Sequence, residues 1–496
     1  MRGYSTGTPK EDHDRPAGSR MLTACSGQKD EESIVRKRIV VLLMVCLLVG
    51  ALALVAQQAQ DSKSKIEFHE FRDDSGVLQT FTTAGSLDLQ NPFFQSLGTN
   101  GRTCNSCHKE ESGWGISLQI IRDKFDQTGG LDPLFATFDG TNSPNVDIST
   151  VDKRRAASSM LLNRGVIRIG LPVPPNAEFV LVNADDPYGF ATANELSLFR
   201  RPPPIANLRF QATIMIDGRE NFAHPGKTIP EILGFQAESA TKGHAQAARP
   251  TTDLERQQIV DFELGLFSAQ IRDDRAGRLD AAGANGGPVP LVDAPFFIGI
   301  NDPFGGNPTG APFNTHVFST FDAWTRFADH DQSETSRAAA RAAVARGQEL
   351  FNSHPIRLIG VSGINDELGV PVFNGFCSTC HDTPSNGNHS VSGPVDLGLT
   401  TAARRQPDEP LYTFMNKKTG EIFQTTDPGR ALITGLWKQM GRMKAPSLRS
   451  LAARAPYFHN GSSKTLLDVV NFYDGRFDIG FTEAEKQDLV AFLRSL

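Results

Sequence analysis

Two short motifs, at residues 104–108 and 377–381, constrain this chain more than any other feature of its sequence. Both have the order Cys-x-x-Cys-His. Two thiols at this spacing can each form a thioether to one vinyl group of a haem, and the His that follows then faces the iron as its proximal ligand. A zinc site would need further Cys or His pairs nearby, and a redox dithiol does not explain a His after both second cysteines. The sequence therefore predicts two covalently attached c-type haem groups.

This prediction assigns six residues to the haem groups. The thioethers form at Cys104, Cys107, Cys377 and Cys380. The proximal ligands are His108 for the first haem and His381 for the second. The chain has six cysteines, and the two outside the motifs, Cys25 and Cys46, lie in the N-terminal leader. This usage suits an oxidising compartment, because c-type haem is attached outside the cytoplasm.

Residues 1–60 have the pattern of an export leader. Basic residues at 36–38 precede an apolar run at 39–56, which is at the short end for a membrane-spanning helix. The pattern predicts either a cleaved signal peptide or a retained membrane anchor. In both cases we expect the haem domains in the periplasm, exported by this segment or anchored to the inner membrane by it.

The charge of the chain argues against one class of partner. There are 50 basic and 56 acidic residues and no block of basic residues, so nucleic acid binding is not indicated. The 496 residues are enough for two domains of ordinary size after the leader.

One pattern occurs twice along the chain. Residues 252–262 resemble residues 482–492, and each segment begins with a Thr-x-x-Glu capping box and continues with apolar residues at helical spacing. Each segment is predicted to be the closing helix of a cytochrome c domain. Since the order of haem motif, loops and closing helix is repeated, we predict a tandem duplication. The expected fold is mainly α, with two tandem cytochrome c-type haem domains and long irregular loops.

The expected domain boundaries follow from this repeat. The N-terminal haem domain is expected to span residues 61–275, and the C-terminal haem domain residues 333–496. The segment between them, 276–332, is rich in Gly and Pro and is predicted to be a linker or an insertion.

The segments around the motifs resemble the bacterial di-haem cytochrome c peroxidases and their MauG-type relatives, which oxidise a partner protein. The matching segments are Asn91–Phe94, Arg200–Asn207, Asp217–Arg219, Gln236–Ala237, Ala445–Ser450 and Ala455–Gly461, together with the closing helix. The resemblance implies a division of labour. The haem on His108 would react with peroxide, and the haem on His381 would relay electrons.

The resemblance also indicates a second ligand for the relay iron. The peroxidases place a Met at a fixed distance after the Pro-Tyr-Phe-His segment, and MauG-type enzymes have a Tyr there. Counted from His459, this position is Tyr473. A phenolate ligand would favour oxidised iron and lower its potential. Met440 and Met443 remain alternatives, since their distance beyond His381 would suit a single-haem cytochrome c.

The expected surroundings of the peroxide-reactive iron differ from those in the family. The family's peroxidases carry a His that blocks this iron, but residues 191–199 contain no His, so an open sixth position is expected. Gln236 matches the family's pocket Gln. The family's pocket Glu falls at Gln246, whose amide cannot shuttle a proton. Glu238 and His244 are the candidate substitutes, and each also suits a surface loop.

Two further positions depart from the family. The Trp that bridges the haems is replaced by Ile216, and Trp114 is the nearest alternative, although packing against the haem is its simpler role. The family also holds calcium between its domains. Backbone carbonyls of Arg454 and Pro456 would supply two ligands, but the side-chain ligand position is Arg201, which cannot bind a cation. This argues against calcium.

Three functions are compatible with this sequence. The first is a periplasmic di-haem peroxidase that reduces hydrogen peroxide with electrons from a small redox protein, either a cytochrome c or a cupredoxin. The second is a MauG-like oxidase of a partner protein. The third is a non-enzymatic di-haem electron carrier. A homodimer is compatible with each of them.

Overall fold

The structure is a computed structural model, and it describes Met44 and residues 66–329, 333 and 336–496. The predicted leader at residues 1–60, with its apolar run, lies outside the described residues apart from Met44. Residues 66–496 group as one compact unit. Within the described ranges, no helix has both the length and the apolar character that crossing a membrane requires.

The regular elements of this unit are short. The α-helices are α1 (Leu118–Thr128), α2 (Val151–Ala157), α3 (Ser159–Arg164), α4 (Arg219–Ala223), α5 (Ile229–Gly243), α6 (Asp253–Gly265), α7 (Arg337–Ser353), α8 (Asn365–Leu368), α9 (Cys377–Cys380), α10 (Ala431–Thr434), α11 (Leu466–Phe477) and α12 (Glu483–Leu493). The strands are β1 (His69–Arg72), β2 (Gly76–Thr82), β3 (Ile167–Leu171), β4 (Phe179–Asp185), β5 (Leu196–Arg200), β6 (Leu266–Asp273), β7 (Gly277–Arg278), β8 (Ile356–Ile359), β9 (Val372–Gly375), β10 (Leu411–Asn416) and β11 (Ile422–Thr425).

The prediction of a mainly α fold is wrong. Helices account for 33% of the structure and strands for 16%, and the strands form several sheets. The strands lie in the connections that the sequence pattern predicts to be irregular loops. In β10 buried and more exposed residues alternate, which is the period of a half-buried strand. Its partner β4 lies more than two hundred residues earlier, so the local sequence of β10 cannot predict this pairing.

The sheets tie distant parts of the chain together. A four-stranded sheet has the order β1-β2-β6-β7, and in it Thr82 lies opposite Leu266. A three-stranded sheet has the order β11-β10-β4, and its antiparallel β10–β4 pair places Leu411 opposite Asp185. Strands from both predicted haem domains therefore share one sheet. The predicted boundaries at 61–275, 276–332 and 333–496 stay a prediction.

Residues of the predicted linker contribute to a hydrophobic core. Leu279, Phe318, Phe321 and Trp324 are fully buried in one cluster with residues of α7 and α12. The ring of Phe318 lies 5.3 Å from that of Phe492 at an edge-to-face angle. Within the described residues, much of this segment thus packs against the helices that flank the second haem motif.

The two predicted closing helices are confirmed as helices. Thr252 and Thr482 precede them, and each Thr accepts a hydrogen bond from the N–H of the Glu three residues later. Each Glu side chain in turn accepts from the N–H of its Thr, so both capping boxes are complete. Each helix packs beside one haem motif: α6 against the segment before the first, and α12 against α7 before the second.

Candidate haem sites

The first motif begins as a single 3₁₀ turn over residues 104–106. The N–H of Thr103 donates to the hydroxyl of Ser106 at 3.0 Å, which fixes the start of this turn. The Nδ1 atom of His108 lies 3.2 Å from the carbonyl oxygen of Trp114. A carbonyl can only accept, so Nδ1 carries the proton and Nε2 is left for a metal. Burial lowers the pKa of His108 to about 4, which keeps the imidazole neutral, as an iron ligand must be.

The second motif repeats this arrangement. The N–H of Phe376 donates to the hydroxyl of Thr379 at 2.9 Å, at the start of α9. His381 donates through Nδ1 to the carbonyl oxygen of Gly387 at 2.5 Å. Burial also lowers the pKa of His381 to about 4. Both motifs therefore present a neutral imidazole whose Nε2 can bind iron, held by a backbone carbonyl six residues after the His.

A cavity lies beside the second motif, and its lining is mostly apolar. Cys377, Cys380 and His381 line it. Tyr473 of α11 lines the same cavity, as does Met443. This cavity is the candidate site for a haem held by His381.

The structure separates the three candidates for the other axial ligand. Met440 does not line this cavity, and it is buried in a cluster with Phe179 and Tyr412. Burial raises the pKa of Tyr473, and within the described residues its hydroxyl makes no hydrogen bond. A shielded hydroxyl without a partner is costly unless another group binds it. Tyr473 and Met443 are thus brought to the site of His381, and Met440 is not.

Buried cations test whether this site suits a haem. Arg201, Lys444 and Arg454 line the cavity, and Arg449 lies just after its Leu448 wall. Within the described residues none of the four forms an ion pair, and Nη1 of Arg449 is buried without any partner. Burial lowers the pKa of Lys444 to about 8 and that of Arg449 to about 9. Arg201, Lys444 and Arg454 donate hydrogen bonds to neutral oxygen atoms, which leaves their positive charge without a counter-ion. The two propionates of a haem would supply negative charge here. The residues fit the group.

The first motif is surrounded by an aromatic cluster. Cys104 packs against a group of buried residues that includes Phe93, Trp114 and Phe262. Trp114 is 1% exposed, and its ring N–H donates to the hydroxyl of Thr80 at 2.9 Å. Its side chain thus belongs to the core of the first site, which is the simpler of the two predicted roles.

The backbone after Trp114 connects the two sites. The carbonyl of Trp114 holds His108, and the next two residues, Gly115 and Ile116, line the cavity of the second haem. Ile216, which stands at the position of the family's bridging Trp, lines this cavity as well. The proximal ligand of the first iron is therefore only a few bonds away from the wall of the second site.

The four pocket candidates of the first site have different surroundings. Glu238 accepts a hydrogen bond from the N–H of Thr251 at 2.7 Å and pairs with Lys242 at 2.6 Å, so it anchors a loop. Gln246 is exposed. Gln236 is partly buried on α5, and no hydrogen bond of its side chain is found among the described residues. The carboxylate of Glu238 is thus occupied by Thr251 and Lys242, whereas the side chain of Gln236 has no hydrogen-bond partner among the described residues.

His244 is the candidate whose imidazole is held by a buried carboxylate. Its Nδ1 lies 2.7 Å from Asp139, which is 3% exposed and also pairs with the buried Arg102 at 2.6 Å. His244 is close enough to His108 that its charge contributes to lowering the pKa of His108. A His held by a carboxylate has the geometry of a general acid–base group. Neither Asp139 nor Arg102 was predicted, because the Asp lies in a loop with no motif of its own.

Met215 is another residue that the sequence did not single out. It is partly buried and packs against the cluster around Cys104. Its thioether is a type of group that binds haem iron. The predicted open sixth position of the first iron depends on where this side chain points once haem is bound.

Arg201 occupies the position predicted to argue against calcium. Its guanidinium donates to the carbonyl oxygens of Arg164 at 2.9 Å, Ile116 at 2.8 Å and Arg454 at 3.0 Å. These carbonyls come from three separate segments, and the one at Arg454 is a predicted calcium ligand. The guanidinium therefore supplies a positive charge to that carbonyl itself. The residues present do not fit a calcium ion here.

Comparison with known proteins gives partial matches. No protein-family model matches the chain. The cytochrome-c peroxidase IdrP1 of Pseudomonas sp. (strain SCT) is 32% identical over 156 residues, which is 27% of this chain and 40% of that protein. The cytochrome c peroxidase Ccp of Escherichia coli (strain K12) is 34% identical over 122 residues, 24% of this chain and 22% of that protein. In these segments the chain is similar to the cytochrome c peroxidases. The predicted resemblance is confirmed, and the names agree with the predicted oxidoreductase class.

The extent of these matches is limited. The chain spans less than half the length of the first curated relatives that it matches. IdrP2 of the same Pseudomonas strain matches over 318 residues, 61% of this chain and 69% of that protein, at 24% identity. A solved structure described as a MauG-like protein associated with microbial copper homeostasis covers 82% of this chain and 86% of its own, at 16% identity and a TM-score of 0.35.

Proposed function

We propose that this protein is a di-haem c-type peroxidase that reduces hydrogen peroxide, with electrons relayed from the C-terminal haem to the N-terminal haem. The observation that carries the proposal is that the two sites share the same motif but differ in the residues around it. The second brings Tyr473 into the cavity of His381. The first places the His244–Asp139 pair near His108. Bound haem would supply a redox-active iron at each site.

The residues of the first site handle protons. Reduction of one hydrogen peroxide to two water molecules takes up two electrons and two protons. His244, held by Asp139, is placed to accept and return a proton, and Gln236 has a free amide that can hydrogen-bond peroxide. The core around Phe93 and Trp114 keeps bulk water out.

The residues of the second site favour storage and relay of charge. A tyrosine ligand opposite His381 would close the iron to peroxide and favour its oxidised state. The segment 114–116 would couple this site to the first. The electrons would come from a small redox protein, either a cytochrome c or a cupredoxin. The leader supports a place in the periplasm, with or without an inner-membrane anchor, and a homodimer remains part of the proposal.

The resting spectrum of the ferric holoprotein tests this proposal. We expect one high-spin haem and one low-spin haem by electron paramagnetic resonance, and a change of the high-spin signal on addition of peroxide. Steady-state reduction of peroxide by a reduced cytochrome c or cupredoxin should follow. Two low-spin haems that do not respond to peroxide would contradict the proposal.

The electron carrier is the second candidate, and Met215 is the observation that favours it. If its thioether binds the first iron, both irons are six-coordinate. The Met215→Leu variant decides between the two. A carrier would gain a high-spin signal in this variant, whereas the peroxidase would keep the spectrum of the unmodified protein.

A further inference from the structure

Glu263 is a buried acid that the proposed chemistry does not use. It lies near the end of α6, is 4% exposed, and has one carboxyl oxygen, Oε2, that is buried without a hydrogen-bond partner. Among the described residues it forms no ion pair. An isolated carboxylate in such surroundings is costly, so the group holds its proton. Burial raises the pKa of Glu263 to about 8.

The internal repeat shows what Glu263 faces. The register that aligns Thr252 with Thr482 and Phe262 with Phe492 continues to Glu263 and Leu493. Leu493 lines the cavity of the second haem. The equivalent position in the first half therefore belongs to the wall of the first haem site.

A second observation places Glu263 in the same region. Its charge contributes to raising the pKa of the Cys104 thiol, so the carboxyl lies close to this haem-attachment residue. Its neighbours Val260 and Phe262 are buried in the cluster against which Cys104 packs. Thus a carboxyl occupies the place beside the first haem that a leucine occupies beside the second.

The charged groups on the elements packed against α6 are bound elsewhere. On α5, Glu238 and Lys242 pair with each other at 2.6 Å. In the turn at 208–210, Arg209 donates to the carbonyl oxygen of Val292 at 2.5 Å. The turn at 92–94 carries no charged residue. Also on α5, Glu231 pairs with Lys227 at 3.0 Å. In the described part of the chain, none of these charged groups forms an ion pair with Glu263.

We infer that Glu263 is a redox-linked proton site of the first haem. When the site gives one electron to the oxidised form of a small redox protein, Glu263 would release one proton to solvent, and its carboxylate would offset the positive charge that the site gains. When one electron returns from the small redox donor, Glu263 takes up one proton again. The inference rests on the proposed function only for the presence of haem at His108, and not for the reaction with peroxide.

Redox titration of the holoprotein at several pH values tests the inference. Between the pKa of Glu263 in the oxidised site and its pKa in the reduced site, the midpoint potential of the first haem should fall as the pH rises, because protonated Glu263 favours the reduced site. Glu263→Gln and Glu263→Leu should remove this dependence and leave that of the second haem unchanged. Asp261→Asn is the matched control, since Asp261 is an exposed carboxyl on the same helix. It should retain the dependence.

Infrared difference spectra of the unmodified protein give a readout that needs no variant. Oxidation should remove the band of a protonated carboxyl group, and Glu263→Gln should lack this change. A wild-type protein without the band, or a Glu263→Gln protein with an undiminished pH dependence, would overturn the inference. Failure to reduce peroxide, with the pH dependence intact, would overturn the proposed function alone.

Discussion

Single side chains decide how each iron would behave. Tyr473 and Met443 share a cavity with His381, and only one of them can complete its coordination. The backbone of Met443 is held by a pair of 2.9 Å hydrogen bonds with Val395, whereas the hydroxyl of Tyr473 has no partner among the described residues. We therefore expect the tyrosine to be the ligand.

Replacement of Tyr473 by Phe should convert the low-spin haem to another coordination state and leave the high-spin haem unchanged. Its midpoint potential should rise, because an anionic ligand that favours ferric iron is lost. Met440→Leu is the control, since Met440 lies outside the cavity. If Met443→Leu produces the spectral change instead, methionine is the ligand.

Replacement of His244 by Gln should slow peroxide reduction by about a hundredfold or more, the usual contribution of a general acid–base group. Asp139→Asn should have a smaller effect in the same direction, because Asp139 only holds His244. Glu238→Gln should reduce peroxide at a rate close to that of the unmodified protein, since Glu238 binds Thr251 and Lys242. Stopped-flow rates of peroxide reduction measure all three.

The buried Glu263 also makes a prediction about stability. Its pKa is about 8 in the folded protein against 4.5 in its ordinary state, so the folded protein holds the proton more tightly than the unfolded chain does. Stability due to this proton is complete below pH 4.5 and is lost as the pH rises through about 8. Glu263→Gln should remove this loss. Its free energy of unfolding should exceed that of the unmodified protein by a few kcal/mol above that pH, and by little in acid. Urea unfolding at both ends of this range measures it; equal differences would contradict the prediction.

At the scale of elements, a close contact between two helices lies beside the candidate site of the second haem. Gly347 of α7 faces α12 so closely that an added Cβ would stand 1.9 Å from the carbonyl oxygen of Asp488 and 2.8 Å from the Cβ of Phe492. Phe351, one turn further along α7, lines the haem cavity. The absence of a side chain at Gly347 thus sets the position of this wall.

Gly347→Ala should push α7 and α12 apart and lower the free energy of unfolding by about 1–3 kcal/mol, the usual cost of overpacking. It should also shift the spectrum of the second haem. Gly475→Ala on α11 is the matched control, because an added Cβ there meets nothing within 4 Å. This control should stabilise the protein by up to about 1 kcal/mol, since Ala favours helix over Gly. Thermal and urea unfolding distinguish the two, and equal effects would contradict the close contact.

At the scale of the whole molecule, the parts that surround the haem sites are joined by several long-range contacts. Strand β4 of the first half pairs with β10 of the second. Arg201 adds a contact in which one guanidinium holds carbonyls of three segments, and its own N–H donates to the carbonyl of His459 at 2.6 Å. These contacts fix the wall of the second haem cavity relative to the first motif.

A calcium chelator should therefore leave the unfolding midpoint and both haem spectra unchanged. Arg201→Gln should lower the free energy of unfolding by several kcal/mol, because buried carbonyls lose their donor. Arg278→Gln is the control, since Arg278 is exposed and forms an exposed ion pair with Asp280; its effect should stay within about 0.5 kcal/mol. A midpoint that falls on chelation and recovers with added calcium would show that an ion is bound after all.

The sequence by itself determined the features that depend on neighbours along the chain. The Cys-x-x-Cys-His motifs bring two thiols and an imidazole together within five residues, so no distant segment is needed to recognise them. The capping boxes at Thr252 and Thr482 specify where two helices begin, because the groups they satisfy lie within one turn. The spacing from His459 to Tyr473 was readable for the same reason.

Only the tertiary structure decided the remaining features, since these depend on contacts between segments that are far apart in the sequence. A strand pattern such as that of β10 does not reveal a partner on the far side of the chain, which is why the fold was predicted to be mainly α. The sequence predicted that Arg201 cannot bind calcium, but it did not predict that the guanidinium donates to three carbonyl groups. Glu263, in an amphipathic helix, resembles a surface residue until packing buries it. Local sequence patterns determine where helices and strands form. Burial and long-range pairing determine the charge states and the contacts of their side chains.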